Sequence, residues 1–210
     1  MLKPAQRLLG YADFLARMDS WPEGIKYELI DGELFLMTGG TPDHDLIKGN
    51  VYLLLRRLFP ACYVTTGDAN LKAECLTEEN GYFPDCMVVC AEEGKKERYY
   101  DRPLVLVEVS SPSTQYLDRA KKKQDYMQLP SLSLYLIIDS TRNHVTGIYR
   151  QSGNTWEEFA VTNESTIHLP VIGGLPEIAF TAAQLYEKTG VNIEARRLGR
   201  RRNPYIIFPP

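Results

Sequence analysis

The sequence predicts an α/β domain built around a mixed β-sheet. Residues 103–110 and 132–139 are apolar nearly throughout, as strands buried on both faces are. An Asp31-Gly32 pair separates two alternating runs, a strong hairpin signal. Residues 44–58 carry Leu46, Ile47, Val51, Leu54, Leu55 and Leu58 at the spacing of a core-facing helix. Runs of strands adjoining single helices suit a mixed sheet flanked by helices.

In chain order, residues 10–18 suit a short helix, which Trp21-Pro22-Glu23-Gly24 breaks. The hairpin pairs residues 27–30 with 33–37. Asp43 is placed to cap the helix over 44–58, and Pro60 ends it. Residues 62–74 read as a strand interrupted at Gly67-Asp68, residues 78–81 as a turn, and residues 82–90 as a second strand. The third strand, 103–110, stops at Ser111-Pro112-Ser113-Thr114 and leads into a lysine-rich helix over 117–128. After the strand at 132–139, residues 145–150 and 156–162 form a hairpin around Ser152-Gly153-Asn154. Gly173-Gly174-Leu175-Pro176 marks a turn before a last helix over 180–188. Residues 1–190 are expected as one domain, and 191–210 as a tail that is basic and then apolar-aromatic.

Composition narrows the function classes. The 210 residues hold 24 Lys+Arg, 27 Asp+Glu and 3 His, a formal net charge of −3, with 44% hydrophobic and 24% charged residues. This is the balance of a globular chain and excludes a disordered, collagen-like or coiled-coil one. No run reaches the roughly 18–20 apolar residues that span a bilayer. The first ten residues lack the apolar segment of a signal peptide, so a cytoplasmic protein with no membrane association is expected. The mild negative charge argues against general coating of nucleic acid, yet basic residues cluster at 95–98, 121–123 and 196–202. Cys62, Cys75, Cys86 and Cys90 form no CxxC pair, and His44, His144 and His168 are scattered. A zinc site therefore lacks support, and the cysteines are expected as buried free thiols. Any metal would be held by carboxylates, which selects a hard ion such as Mg²⁺ or Mn²⁺.

Charged residues are expensive to bury, and two acids interrupt otherwise apolar strands. Asp85 stands in Phe83-Pro84-Asp85-Cys86-Met87, and Glu108 in Leu106-Val107-Glu108-Val109. Either acid alone has a structural reading, paired with an arginine or capping a turn. Two at the ends of consecutive core strands can reach one cation. Three lysines in a row commonly form a solvated face. Lys121, Lys122 and Lys123 nevertheless point in different directions around their helix, and Lys122 shares a face with Tyr126. Tyr126 and Leu129 are placed inward, so Lys122 is the lysine expected to turn toward Glu108. Two carboxylates and a lysine are the parts of metal-assisted phosphodiester hydrolysis. No nucleophile-elbow serine, GxxxxGK[ST] loop or GxGxxG after a strand supports another reaction class.

These residues resemble the PD-(D/E)XK nuclease superfamily. More narrowly, they resemble a restriction-endonuclease-like family that is abundant in cyanobacteria and known as a domain of unknown function. The likeness rests on Tyr27-Glu28-Leu29-Ile30-Asp31-Gly32-Glu33, His44 opening a helix, Pro84-Asp85, and Glu108-Val109-Ser110-Ser111-Pro112-Ser113-Thr114. It continues through Asp118-Arg119, Lys122, Tyr126 and Tyr135-Leu136-Ile137-Ile138-Asp139. It implies a restriction-endonuclease-like α/β core, a mixed central β-sheet flanked by helices, with an N-terminal β-hairpin extension. It implies Asp85 and Glu108 as metal ligands. The third residue of the (D/E)XK triplet is Ser110 rather than lysine, and Lys122 on the following helix stands in for it. An upstream glutamate, Glu28 or Glu33, would complete the metal shell; the residues alone read as solvated hairpin acids. His44 either contacts substrate phosphate or simply sits in the first turn of its helix.

The expected function is a Mg²⁺-dependent DNA endonuclease, with Mn²⁺ as substitute and no small-molecule cofactor. Asp85, Glu108 and Lys122 are the catalytic set, and Glu28, Glu33, His44, Ser110 and Tyr126 support it. One alternative is a catalytically inactive nucleic-acid-binding or assembly module on the same fold. Another is a protein acting on RNA, whose bases the 13 tyrosines could stack on. Cutting both strands of a duplex suits a homodimer; the tail after Asn203 either docks on the neighbour or frays.

Overall fold

The computed structural model describes residues 8–37, 39–74, 79–151, 155–162, 166–169, 171, 177–191 and 205–207. The first half of the chain forms α1 (Tyr11–Met18), β1 (Tyr27–Ile30), β2 (Glu33–Leu36), α2 (Pro42–Leu58), β3 (Tyr63–Thr66), β4 (Leu71–Glu74), β5 (Glu79–Tyr82) and β6 (Cys86–Val89). The 3₁₀ turn Glu92–Gly94 precedes β7 (Val105–Ser110). Then follow α3 (Gln115–Leu117), the π-helical turn Asp118–Lys122, α4 (Lys123–Tyr126), β8 (Leu134–Asp139), β9 (Val145–Arg150) and β10 (Trp156–Val161). The chain ends with β11 (Thr166–Leu169), β12 (Ile178–Thr181), α5 (Ala182–Leu185) and β13 (Tyr205–Ile207).

Six strands in the order β10-β9-β8-β7-β6-β3 make a mixed sheet in which β7 and β8 run parallel and the other pairs antiparallel. Alternation along β7 turns Val105, Val107 and Val109 to one face, against Ile47, Val51 and Leu55 of α2. It turns Leu106 to the other face, where Met87, Tyr135, Ile137 and Ile148 meet Tyr126 and Leu129. Cover on both faces is why β7 and β8 read as continuous apolar runs.

A second sheet, β2-β1-β5-β4, lies against that second face through Ile30, Leu71 and Tyr82. α1 closes its outer side with Tyr11 and Phe14 against Leu29 and Phe83. The hairpin turn has Asp31 at φ 51° and Gly32 at φ 78°, the paired positive values of a type I′ turn. The expected hairpin extension is thus one half of a four-stranded sheet.

Several local expectations are corrected. Residues 79–81, expected within a turn, belong to β5, and the single strand expected over 82–90 is split between two sheets. Pro84 lies at the split, where a residue without an N–H cannot continue a ladder. The interruption at Gly67-Asp68 likewise sends β3 and β4 to different sheets. Thr41, not Asp43, caps α2, accepting from the His44 N–H at 3.2 Å; Asp43 instead accepts from the Gly190 N–H at 2.9 Å. Cys62 and Cys90 flank the paired strands β3 and β6 and form a disulfide, contrary to the expected free thiols. Cys86 is free and buried, and Cys75 lies outside the described residues. So do the expected turns at 152–154 and 173–176. Within the expected tail, β13 pairs in parallel with β11.

Gly147 on β9 lies opposite Phe159 on β10, and a Cβ there would collide with the phenyl ring. Gly147→Ala is expected to lower unfolding free energy by about 1–3 kcal/mol, through overpacking, in urea denaturation.

Candidate active site

β6 and β7 are antiparallel with Cys86 opposite Val107. Asp85 immediately precedes β6, so it stands beside the end of β7 that carries Glu108, and its charge acts on that carboxyl. Asp85 Oδ2 accepts from the Val109 N–H at 2.7 Å and lies 3.4 Å from His44 Nε2. His44 comes from the first turn of α2, where the helix dipole also favours an anion.

The π-helical turn supplies the cation. Lys122 Nζ lies 3.1 Å from Glu108 Oε1, 3.0 Å from Glu28 Oε1 and 3.8 Å from Asp118 Oδ1. Lys122, Glu28 and Glu108 are each buried. The Tyr126 hydroxyl donates to Glu108 Oε1 at 2.8 Å, and the Phe83 N–H donates to Glu28 Oε1 at 3.1 Å. The neighbouring lysines diverge as expected. Lys121 pairs with Asp31 at the hairpin turn and with Asp125, while Lys123 pairs with Glu158 on β10. Asp125 is buried and also accepts from Asn80 and Tyr82, so the helix is tied to the second sheet from both sides of the site.

Burial pushes the Glu108 carboxyl well above the usual range; Lys122 opposes this, while Asp118, Asp85 and Glu28 add to it. Burial also raises Asp118 against the pull of Lys122 and of the Thr114 and Ser110 hydroxyls. Lys122 is held above its ordinary value: burial disfavours its charge, but Glu108, Glu28 and Asp118 outweigh it. The hydrogen bond to Asp85 raises His44, against burial.

The structure thus gathers Asp85, Glu108, Lys122, Glu28, Tyr126 and His44. Ser110, two residues beyond Glu108 on the same strand face, is buried. Glu33 is corrected: it sits exposed on β2, opposite Ile30, with no contact to the cluster among the described residues. Glu28 lies inward because it shares strand parity with the buried Ile30. Sequence reasoning gave no role to Asp118, whose signal is its four-residue spacing from Lys122.

The donor set bears on a metal ion. Glu108 Oε1 and Asp85 Oδ2 are engaged, whereas Glu108 Oε2 and Asp85 Oδ1 form no hydrogen bond among the described residues. No group of three His, Cys, Asp or Glu is placed to hold an ion among those residues. Two oxygen donors with open positions fit Mg²⁺, which keeps several waters and takes one or two carboxylates plus substrate phosphate.

Two acids, Asp85 and Glu108, thus meet a lysine from the next helix beside the mixed sheet of an α/β protein. The chain belongs to the Uma2 family, described as putative restriction endonuclease, whose model matches residues 12–181. It is 29% identical over 132 residues to an uncharacterized protein of Synechocystis, covering 62% of this chain and 70% of that one. Its fold is similar to the crystal structure of a putative nuclease belonging to DUF820 from Anabaena variabilis. The TM-score is 0.62 and the identity 15%, over 82% of this chain and 96% of that one. No helix among the described residues is long and apolar enough to cross a membrane.

Lys122→Met leaves three carboxylates around a vanished cation and is expected to destabilise the fold by about 3–5 kcal/mol at neutral pH. Glu108 and Asp118, already raised by burial, then titrate still higher in the folded state. A raised acid stabilises below its unfolded value and loses that contribution as pH rises, so the deficit should shrink as pH falls toward 4.5. Denaturation of both proteins across pH checks the sign.

Proposed function

We propose that the chain is a metal-dependent endonuclease hydrolysing phosphodiester bonds of DNA. Asp85 held on the Val109 N–H beside Glu108, with the Lys122 ammonium 3.1 Å from Glu108, carries this reading. Asp85 and Glu108 would hold Mg²⁺, or Mn²⁺ in its place. Such an ion polarises the scissile phosphate and lowers the pKa of a bound water.

The chain's own residues do the rest. Lys122 places a fixed positive charge beside the reacting phosphate, where it orients the attacking water and offsets the charge that builds on the phosphoryl oxygens. Glu28 and Asp118 hold that ammonium from behind, and Tyr126 fixes Glu108. His44 and the Val109 N–H fix Asp85. Fixing donors before substrate arrives avoids their reorganisation during the reaction. Two copies acting on one duplex would cut both strands, which makes a homodimer the assembly that fits, in a cytoplasmic setting.

Asp85→Asn should abolish Mg²⁺-dependent cleavage of plasmid DNA while the protein still folds; full activity in that variant removes the proposal. Mn²⁺ should raise the melting temperature of the native chain by mass action. An equal shift in Glu108→Gln, or none in the native chain, favours a binding module on the same fold.

A further inference from the structure

Arg119 belongs to the same π-helical turn as Lys122 but reaches β9 rather than the carboxylates that hold Lys122. Its Nη1 donates to Thr146 Oγ1 at 3.2 Å, and that hydroxyl lies 3.3 Å from His144 Nε2. Among the described residues no carboxylate lies within ion-pair distance of this guanidinium, and its Nε is buried with no acceptor. Arg142 differs: its Nε is 2.6 Å from Asp139 Oδ2. A guanidinium has five donors. A partly buried one that makes a single hydrogen bond keeps an uncompensated charge, which is costly until an anion arrives. The surroundings are cationic as well. Burial, followed by the Arg119 and Arg142 charges, pushes His144 below the usual imidazole range.

Position gives the anion its identity. Glu108 pairs with Ile137 across β7 and β8, and Ile137 pairs with Thr146 across β8 and β9. Opposed residues share a face. Thr146 therefore stands two strand spacings from Glu108, about 10 Å away on the face that carries the acids. Consecutive phosphates of one strand wind about the helix, so they lie farther apart through space than the ~3.4 Å they advance along its axis. The geometry points to Arg119, seated on Thr146, as a second phosphate site gripping a nucleic-acid backbone phosphate roughly one or two nucleotides from the scissile one. The assignment rests on the proposed nuclease reading and adds to it the register in which the strand crosses the sheet.

The test is binding, not cleavage. Anisotropy of a labelled DNA duplex with the full chain, in EDTA, is followed from 50 to 200 mM salt. Arg119→Gln should weaken binding about tenfold and reduce the slope of log K against log salt by about 0.9. Arg119→Lys should keep the slope, because the charge remains. Arg142→Gln removes the same charge from a residue already paired with Asp139 and should change the slope by less. Thr146→Val keeps the guanidinium but not its seat, and should weaken binding without changing the slope. It carries the test if Arg119→Gln does not fold. Native-like binding by both Arg119→Gln and Thr146→Val overturns the site, as do equal slope changes in the two arginine variants. If the native chain binds no duplex at any salt, the nuclease reading falls too; if it binds and the Arg119 variant binds alike, this site alone falls.

Discussion

One buried ammonium organises the centre of this protein. Lys122 Nζ is nearly sealed from water between Glu28, Glu108 and Asp118, and it joins three segments: β1, β7 and the helix between β7 and β8. Withdrawing an ion from water costs several kcal/mol even after relaxation, and is offset here only because carboxylates stand on several sides of it. The cluster is not balanced, however. Three acids surround one cation, and Asp85, just before β6, adds its charge to theirs. That excess of negative charge, together with burial, is why Glu108 resists ionisation. In the proposed reading a divalent ion would relieve that surplus.

The backbone around that ammonium is built to aim it. An α-helix from Gln115 to Tyr126 would follow one regular stripe, but Asp118–Lys122 is a π-helical turn, with one residue more per hydrogen-bonded ring. The Asp118 carbonyl accepts from the Tyr135 hydroxyl at 3.0 Å. The widened turn lets Asp118, Lys122 and Tyr126 converge on Glu108, while Lys121 goes to the hairpin and Arg119 to β9. Such turns recur at functional sites because they re-aim side chains at a local cost in regularity. The paired sheets carry that cost: strands on one side and the Asp125 hydrogen bonds on the other fix the helix in place.

Legibility in the sequence followed the strength of the local physics. The hairpin was readable because Asp31 and Gly32 suit positive φ, and β7 and β8 because sheets covered on both faces leave no polar side. Glu108 was readable for the same reason, since an acid in an apolar strand has no cheap explanation. Glu28 and Glu33 could not be ranked until the hairpin joined β5, which made one face of β1 interior and left β2 at the edge. The split at Pro84 was signalled by a residue that breaks ladders, but two sheets meeting there is a tertiary fact. The Cys62–Cys90 disulfide depended on the register of β3 against β6, which spacing along the chain does not reveal. Helical periodicity assumes a constant pitch, so the π turn lay beyond it, although the four-residue spacing of Asp118 from Lys122 marked the face they share.

The cluster is hard to explain as a folding device. Buried ion pairs are often replaceable by apolar residues of similar volume without loss, and sometimes with a gain. The same face already holds Leu106, Tyr126 and Ile137 in a continuous apolar layer that would accept such residues at 28, 108 and 122. A chain selected for stability alone would extend that layer across Glu108. It instead keeps an acid with a raised pKa, a lysine pinned by three carboxylates, and a second acid whose Oδ2 is fixed by a backbone N–H and a histidine while its Oδ1 is uncommitted among the described residues. Fixed donors aimed at a place where charge will develop are what catalysis needs and folding does not. The arrangement therefore argues for chemistry at the acid pair more strongly than the presence of either acid does.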